Sequence, residues 1–422
     1  MRPGALSVEG VQIDSRRVES GDLFVAVGSG GFSYLDDALE RGAAATLLPR
    51  DGHEALAQIG RFVRSQLAAR VVGITGSVGK TTTKDIVAAL CAPHRKTVAA
   101  EASYNNELGV PLTLCRADAD TEVVVSEMGT RGLGQLGELC EIAKPHVGVI
   151  TSIGPAHLEH LGSLDDVAQG KAEILSHLPE DGVAVVPAAE ARLKPYLASS
   201  KARVVTVGAG GDVELVRSES GRHTSEVEVK VEGTSLEVRF NLVGRHNIEN
   251  AIAAVAVYAA LDLPLGEIGA GSENVVVSPL RSAEIELEGG GLLLNDSYNA
   301  NPMSMEAAIE HLAMRAGSRR RIAVLGTMAE LGPAEIDYHR ATGALLAQRD
   351  IDVLIGIGDL AVHYSDGLRD AGSSAHTELV DTTDEAIASL REHLQPGDCV
   401  LVKASRSAGL EVVAEAVESI VA

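Results

Sequence analysis

Apolar and polar positions along the chain follow two rhythms, one typical of buried strands and one typical of amphipathic helices. From Val71 onward, short β-branched runs are followed by segments in which apolar residues recur every three or four positions. The predicted strands lie near residues 71–75, 122–127 and 147–152, and the predicted helices near 80–90, 132–142 and 164–178. This alternation predicts a parallel, doubly wound sheet, in which ligands bind beyond the carboxyl ends of the strands.

Similar patterns lie on both sides of this series. The first 70 residues predict strands near 10–13, 22–27 and 45–48 with a helix at 35–41. The central series continues with strands near 182–186 and 203–207, a hairpin over 225–230 and 235–240, and a helix over 247–260. After Pro279 come strands near 321–326, 352–357, 377–380 and 398–402 and a terminal helix over 407–420. Pro279 fits a hinge, but it also fits the simple end of a strand.

We therefore predict an α/β protein of three domains. Residues 1–70 form a small N-terminal α/β domain, residues 71–278 a central domain with a doubly wound, mostly parallel sheet, and residues 279–422 a C-terminal Rossmann-like domain. Aromatic residues make up only 3% of the chain, so the cores must be built from Ala, Val, Leu and Ile. That composition suits parallel sheets covered by helices.

The charge and the cysteines exclude several classes of function. The net charge of −23 opposes association with nucleic acid or acidic membranes, and no apolar run is long enough to span a bilayer. The four cysteines are scattered without zinc-binding spacing, which argues against a disulfide framework or a structural zinc. We expect a soluble cytoplasmic protein with neither a nucleic acid nor a membrane as partner.

A phosphate-binding loop is predicted in the stretch VVGITGSVGKTTT, residues 71–83. Glycines let backbone N–H groups converge on phosphate oxygens, while a lysine and a helix N-terminus supply positive charge. The candidate nucleotide-binding residues are Gly76, Ser77, Gly79, Lys80, Thr81 and Thr82. A strict P-loop has glycine where this chain has Ile74. The alternative is a strand-to-helix turn that merely needs glycine.

Other polar residues stand where parallel strands end or helices begin. Glu127 closes the strand VVVSE, and His157 lies just past the next strand. Lys171 lies two turns into a helix, where a lysine is usually a solvated surface charge. Asn247 and Asn250 share one face of a helix opening, and capping alone explains Asn247. None of these residues indicates a function alone.

Together, the motifs resemble the Mur ligases of peptidoglycan synthesis, and the resemblance runs in order through all three predicted domains. The stretches that carry it are GITGSVGKTTTK (73–84), YNNELGVPLT (104–113), SEMGTRGLGQL (126–136), TSIGPAHLEHLGS (151–163), GKAEIL (170–175), GRHNIENA (244–251), NDSYNANPMSM (295–305) and KASRSAGLE (403–411). The sequence DSYNANP, residues 296–302, is similar to the branch that joins D-alanyl-D-alanine to UDP-N-acetylmuramoyl-tripeptide. The turn Gly30-Gly31-Phe32-Ser33-Tyr34 departs from the pattern of many relatives.

The resemblance implies an ATP-dependent ligase that forms an amide bond through an acyl phosphate and releases ADP and phosphate. Lys80, His157 and Lys171 are the implied catalytic residues. Thr81 and Glu127 are expected to hold one Mg²⁺, and His157 and Lys171 a second, with Lys171 carbamylated so that it becomes an anionic ligand. Such an enzyme acts in cell-wall synthesis, on which cell shape and division depend.

The resemblance also implies the substrate contacts. Asn247 and Asn250 are expected to bind adenine, Arg281 the γ-phosphate and Asp296 the ribose. Contacts to the nucleotide sugar are expected from Asp14, Ser15 and Arg16, and contacts to its muramoyl peptide from Asn105 and Asn106. The dipeptide is expected to meet Tyr298, Asn299, Asn301, Lys403, Ser405 and Arg406. The partners are thus UDP-N-acetylmuramoyl-tripeptide and D-Ala-D-Ala, bound by a monomer.

Several alternatives stay open at this point. A Mur ligase that adds a single amino acid, or a folylpolyglutamate synthase-like ligase, shares the ATP site. A guanine-specific P-loop switch is expected to carry an Asn-Lys-x-Asp-like motif, which is missing. A non-catalytic scaffold is disfavoured by the intact set of Lys80, Thr81, Glu127, His157 and Lys171.

Overall fold

The computed structural model describes residues 7–28 and 30–420, and these residues form an α/β fold with three β-sheets. The strands are β1 (Gly10–Gln12), β2 (Asp22–Val25), β3 (Ala45–Leu47), β4 (Arg70–Thr75), β5 (Thr97–Ala99), β6 (Val123–Glu127), β7 (Val147–Ile150), β8 (Val183–Pro187), β9 (Arg203–Val207), β10 (Val213–Ser220), β11 (Ser225–Val231), β12 (Thr234–Phe240), β13 (Ala283–Glu286), β14 (Leu292–Asn295), β15 (Arg321–Leu325), β16 (Val353–Ile357), β17 (His376–Val380) and β18 (Cys399–Lys403). The predicted fold class is confirmed.

The helices cover the sheets or connect their strands. They are α1 (Leu35–Glu40), α2 (Gly52–Gln66), α3 (Lys80–Cys91), α4 (Gly109–Cys115), α5 (Gln135–Ala143), α6 (Leu158–Leu161), α7 (Leu164–Ser176), α8 (Lys194–Leu197), α9 (Arg245–Ala260), α10 (Gly269–Ser272), α11 (Pro302–Ala316), α12 (Glu335–Gln348), α13 (Ala361–Asp370), α14 (Thr383–His393) and α15 (Glu411–Ile420). In the part of the chain that the structure describes, no helix is both long and apolar enough to cross a membrane.

The central sheet places the loops that follow β4, β6 and β7 side by side. Its strand order is β12-β11-β10-β9-β8-β7-β4-β6-β5, with β4 pairing in parallel with β6 on one side and β7 on the other. After β4, the chain forms β5 and β6 on one side of β4 and then β7 on the other side. The direction in which strands are added therefore reverses at β4. A reversal of this kind opens a crevice at the carboxyl ends of the strands.

The other two sheets are smaller. The first has the order β1-β2-β3 and is parallel throughout. The third has the order β13-β14-β18-β15-β16-β17 and is parallel except for the antiparallel pair β13–β14. Its inner strands are buried Val, Leu and Ile runs because helices cover both faces. In this sheet β18 lies between β14 and β15, so the loops after these strands are neighbours.

The chain divides into two compact units. The first takes in the described residues up to Ser152 together with Gln169–Leu242 and Glu249–Val276. The second takes in Ile153–Ala168, Val243–Ile248 and the described residues from Val277 onward. The predicted domain limits at residues 70 and 278 stay predictions.

Several elements differ from the prediction. The terminal helix begins at Glu411 and not at residue 407, because Gly409 adopts a left-handed conformation with φ of 63° after a short 3-10 turn. Strand β7 ends at Ile150 and not at residue 152, since the next two residues leave the strand and hold the neighbouring loop. Helices α2 and α4 and strands β5, β10, β13 and β14 are absent from the predicted elements.

Candidate active site

The predicted phosphate-binding loop connects β4 to α3 and depends on two glycines. Gly76 has φ of 141° and Gly79 φ of 85°, a region that L side chains rarely adopt. A Cβ atom on Gly76 would lie 2.0 Å from Thr151 Oγ1, and one on Gly79 would lie 2.2 Å from Asn250 Oδ1. Both positions therefore require glycine for backbone conformation and for space.

We expect Gly76→Ala to abolish nucleotide binding and to lower thermal stability. The backbone strain costs about 1–3 kcal/mol, and the contact with Thr151 adds to it. Gly208→Ala is the matched control, because Gly208 also has a positive φ, of 111°, but its Cβ would meet nothing within 4 Å. ATP calorimetry and thermal unfolding measure both effects. Equal losses in the two variants would show that the contact with Thr151 is unimportant.

The residues after β7 hold this loop from the side. Ser77 N donates to Ser152 O at 3.0 Å, and Val78 N donates to Ser152 Oγ at 3.0 Å. Thr151 Oγ1 donates to Val78 O. The Lys80 ammonium donates to Gly76 O at 2.7 Å. Thr151 and Ser152 were not among the predicted site residues, although their position at the carboxyl end of a predicted parallel strand was a usable signal.

Glu127 ends β6 beside the loop and is completely buried. Its Oε1 accepts a hydrogen bond from Asn105 Nδ2 at 2.7 Å, whereas Oε2 is buried without a hydrogen-bond partner among the described residues. A buried carboxylate oxygen with no partner is costly unless a cation binds it. Thr81 lies in the first turn of α3 in the same unit, and its hydroxyl oxygen is 3.5 Å from Ser103 Oγ. Carboxylate and hydroxyl oxygens are suitable Mg²⁺ ligands, so these residues fit the predicted ion.

Lys171 lies in α7 with only 2% of the residue exposed, so it is no surface charge. Its Nζ donates to Thr130 Oγ1 at 3.0 Å. Burial, with a smaller effect from the nearby charge of Lys80, lowers the pKa of the Lys171 amine to about 7. A substantial fraction of such an amine is neutral at pH 7, and the neutral form is the one that reacts with carbon dioxide.

His157 lies in the second unit, where its ring is paired with a carboxylate. Nδ1 of His157 contacts Glu330, and because an ionised carboxylate only accepts hydrogen bonds, Nδ1 is the donor in this pair. Carboxylates commonly orient metal-binding histidines in this way. Glu330 follows β15 and was not predicted.

A completely buried histidine supports the loop that carries Glu330. His339 Nε2 accepts from Met328 N at 3.1 Å, and its Nδ1 donates to Glu335 O at 2.7 Å. Burial lowers the pKa of His339, which keeps the ring neutral in this arrangement. His339 is therefore a residue of the core.

At the carboxyl edge of the third sheet, Lys403 and Asp296 form a buried ion pair. The Lys403 ammonium also donates to Asn299 O at 2.8 Å, and Asp296 Oδ1 accepts from Ser282 N at 2.9 Å. Ser405 Oγ donates to Ala300 O at 3.2 Å. These contacts hold the loop that contains Tyr298. The expected contacts of Asp296 with the ribose, and of Lys403 and Ser405 with the dipeptide, stay predictions.

Two arginine guanidinium groups lie near the ring of Tyr298 in this unit. The Arg281 guanidinium lies 4.0 Å from the centre of its ring, and that of Arg406 lies 5.7 Å away. Arg406 also pairs with Glu411 at 3.0 Å. The aromatic ring thus has a guanidinium group within cation–π distance on two sides of the sequence, from Arg281 before it and Arg406 after it.

Several other predicted contacts have local partners. Asn301 caps α11, Asn299 Oδ1 accepts from Ala300 N, and Asn106 Oδ1 accepts from Gly109 N at the start of α4. Asn247 Nδ2 donates to Val243 O at 2.8 Å, and Asn250 accepts from Thr83 in the first unit.

The turn at Asp14 is also held locally. Asp14 accepts two side-chain hydrogen bonds from Arg16, which lower the pKa of the Asp14 carboxyl to about 2, while Ser15 is buried. This is the turn chemistry expected from Asp-Ser-Arg alone. The predicted contacts to the nucleotide sugar stay predictions.

Comparison with known proteins identifies the family. Residues 74–258 match the Mur ligase middle domain, and residues 281–406 match the Mur ligase, glutamate ligase domain. The UDP-N-acetylmuramoyl-tripeptide–D-alanyl-D-alanine ligase of Bacillus subtilis is 31% identical over 98% of this chain and 94% of its own length. The chain belongs to the MurF group of the Mur ligases. The Mycobacterium tuberculosis ligase of the same name is 34% identical over 96% of this chain and 91% of its own length.

The MurF fold is shared along the whole chain. The crystal structure of MurF from Thermotoga maritima in complex with ADP matches with a TM-score of 0.84 and 27% identity, covering 99% of this chain and 98% of that one. Membership of the MurF group decides against the single-amino-acid and folate-type alternatives. The Mur ligase middle domain covers the predicted phosphate-binding loop, whose individual nucleotide contacts stay predictions.

Proposed function

We propose that this chain joins D-alanyl-D-alanine to UDP-N-acetylmuramoyl-tripeptide and converts ATP to ADP and phosphate. The observation that carries the proposal is similarity along nearly the whole chain to ligases of that name. The buried Lys171 supports it, because a protein that only binds nucleotide has no need of a buried amine, and Oε2 of Glu127, which has no hydrogen-bond partner among the described residues, suits the Mg²⁺ that the reaction needs.

The chemistry has two steps. A carboxylate is a poor acyl donor, so a carboxylate oxygen of the tripeptide attacks the γ-phosphorus and ADP leaves. The amine of the dipeptide then attacks the acyl carbon, the phosphate leaves, and the amine loses a proton. Phosphoryl transfer is accelerated chiefly by positioning and by cationic stabilisation. We assign these tasks to Lys80 and the N–H groups of the loop from Gly76 to Thr82.

Thr81 and Glu127 would hold one Mg²⁺, and His157 and a carbamylated Lys171 would hold a second. Bound there, Mg²⁺ supplies a Lewis acid that neutralises phosphate charge. Carbamylation joins the neutral Lys171 amine to carbon dioxide and releases one proton, which leaves an anionic oxygen ligand. Asn105 orients Glu127 through its hydrogen bond, and it acts as a positioning residue in addition to its predicted contact with the muramoyl peptide.

The remaining assignments follow the resemblance. Asn247 and Asn250 would bind adenine, Arg281 the γ-phosphate and Asp296 the ribose, while the turn of Asp14, Ser15 and Arg16 would meet the nucleotide sugar. The dipeptide would meet Tyr298 and Arg406, where a guanidinium can bind its terminal carboxylate in a two-pronged manner. We place the reaction in the cytoplasm and assign it to a monomer.

The test measures phosphate release by the purified chain with ATP and Mg²⁺. One assay supplies UDP-N-acetylmuramoyl-tripeptide with D-Ala-D-Ala, and the other supplies the UDP-N-acetylmuramoyl-dipeptide with diaminopimelate or lysine. We expect release only with the first pair, together with a joined product of the correct mass. Release only with the second pair would move the enzyme one step earlier, and release with neither would overturn the proposed substrates.

A further inference from the structure

Two histidines and a glutamate meet at the outer edge of the third sheet. His376 and Glu378 lie two residues apart on the edge strand β17, so their side chains share one face. Helix α14 follows β17 closely and ends at His393, beside His376. The ring centres of these two histidines are 4.5 Å apart, and His393 Nε2 lies 3.1 Å from Glu378 Oε2.

We propose that His376, Glu378 and His393 form a binding site for a divalent transition metal ion such as Zn²⁺. One potential ligand atom from each residue lies within 4.8 Å of the other two. A tetrahedral Zn²⁺ with bonds of about 2.1 Å separates its ligand atoms by about 3.4 Å, so His393 and Glu378 already stand at a suitable distance. His376 is exposed, and its ring can rotate to complete the set.

The surroundings of the three side chains favour a cation. Ser389 Oγ donates a hydrogen bond to Glu378 Oε2, which orients the carboxylate as outer partners do for metal ligands. His393 is the last residue of an eleven-residue helix, where the helix dipole is negative. Two imidazoles and one carboxylate leave a fourth tetrahedral position for water.

Within the third sheet, this site lies away from Lys403, which is predicted to contact the dipeptide. His376 begins β17, whereas Lys403 ends β18, and both strands run in the same direction in one sheet. His376 therefore lies at the amino ends of the parallel strands, and Lys403 lies at their carboxyl ends. The proposed site also differs in chemistry from the predicted Mg²⁺ sites, because imidazole suits zinc and its neighbours in the first transition row, while Mg²⁺ prefers oxygen ligands. The ion would join strand to helix and would not take part in the ligation.

Isothermal titration of the untagged, full chain with ZnCl₂, in a buffer containing excess MgCl₂, tests the proposal. We expect a one-to-one site that His376→Ala weakens by about 100-fold, and that Ser389→Ala weakens by about tenfold. His376 is exposed, so its replacement removes the contact with the His393 ring but leaves the buried core unchanged. His53→Ala, at an exposed histidine on α2, is the matched control and should bind Zn²⁺ as the parent chain does.

A second measurement separates this site from binding elsewhere. An ion that binds the folded chain raises its unfolding temperature, so Zn²⁺ should raise it for the parent and for His53→Ala but not for His376→Ala. The proposal is overturned if the parent fails to bind Zn²⁺ in the presence of Mg²⁺, or if His376→Ala and His393→Ala bind it unchanged. Neither result would affect the ligase assay.

Discussion

Lys171→Ala should nearly abolish ligase turnover. The side chain is buried and its amine faces Thr130, so alanine leaves a cavity where the proposed carbamate would stand. Loss of one anionic metal ligand removes several kcal/mol of charge stabilisation, which corresponds to about a 100- to 1,000-fold lower rate. Small carboxylates such as formate or acetate should enter the cavity and restore part of the activity. Phosphate release with and without these additives measures both effects.

Two control variants, together with the response of Lys171→Ala to carboxylates, decide whether loss of the carbamate causes the loss of turnover. Lys171→Arg keeps a cation but fills the cavity, so it should be inactive and should not respond to carboxylates. Lys201→Ala, at an exposed lysine, should behave as the parent chain. If Lys171→Ala keeps parent-like activity without an additive, the carbamate proposal fails. An inactive variant that no carboxylate rescues, with unchanged thermal unfolding, would assign the lysine a direct cationic role.

Glu127→Gln should lower turnover by about 100-fold or more and raise the Mg²⁺ concentration needed for half-maximal rate. The amide keeps the volume of the side chain and can still accept from Asn105, but it removes the charge at the Oε2 position, which has no hydrogen-bond partner among residues 7–28 and 30–420. Loss of an ionic ligand costs several kcal/mol of stabilisation. Initial rates across a range of MgCl₂ concentrations measure the effect.

Asn105→Ala is the matched variant, since it removes the orienting hydrogen bond and leaves the carboxylate in place. We expect a loss of about tenfold and a smaller shift in Mg²⁺ dependence, as is usual for partners of metal ligands. Thermal unfolding should show Glu127→Gln folded like the parent chain, whereas Asn105→Ala should unfold at a lower temperature, because it leaves the buried carboxylate without its hydrogen bond. Parent-like Mg²⁺ dependence in Glu127→Gln would show that Glu127 is no metal ligand.

Elements with strong apolar patterns were predictable. Strand β4, strand β6 and helix α3 lie within one residue of the prediction, because buried parallel strands are continuous β-branched runs and the intervening helix has a clear period. Strand β10 was missed because most of its side chains are exposed and polar, so no alternation marks it. Strand β5 has only three half-buried residues, too few for a period to be seen.

The candidate site was predictable in part. The residues of the phosphate-binding loop are contiguous, so spacing alone indicated them. Glu330 comes from a loop far away in the sequence and belongs to none of the predicted motifs. Ser152 lies in one of the stretches that carry the resemblance, but only the folded chain shows that it holds the neighbouring loop. Lys171 shows the limit most clearly, since a lysine on a helix is usually solvated and only packing decides that this one is buried.

The sequence by itself determined the class of fold and the family, and it predicted the phosphate-binding loop, because these depend on periods and motifs that are local in the chain. The tertiary structure alone decided which side chains become partners. Strand order brings the ends of β4, β6 and β7 together, and in the third sheet it brings Lys403 to Asp296. Burial then sets the chemistry of those groups, lowering the pKa of Lys171 and leaving one oxygen of Glu127 without a hydrogen bond from the described residues. Desolvation depends on everything that packs around a group, and no stretch of sequence contains that information.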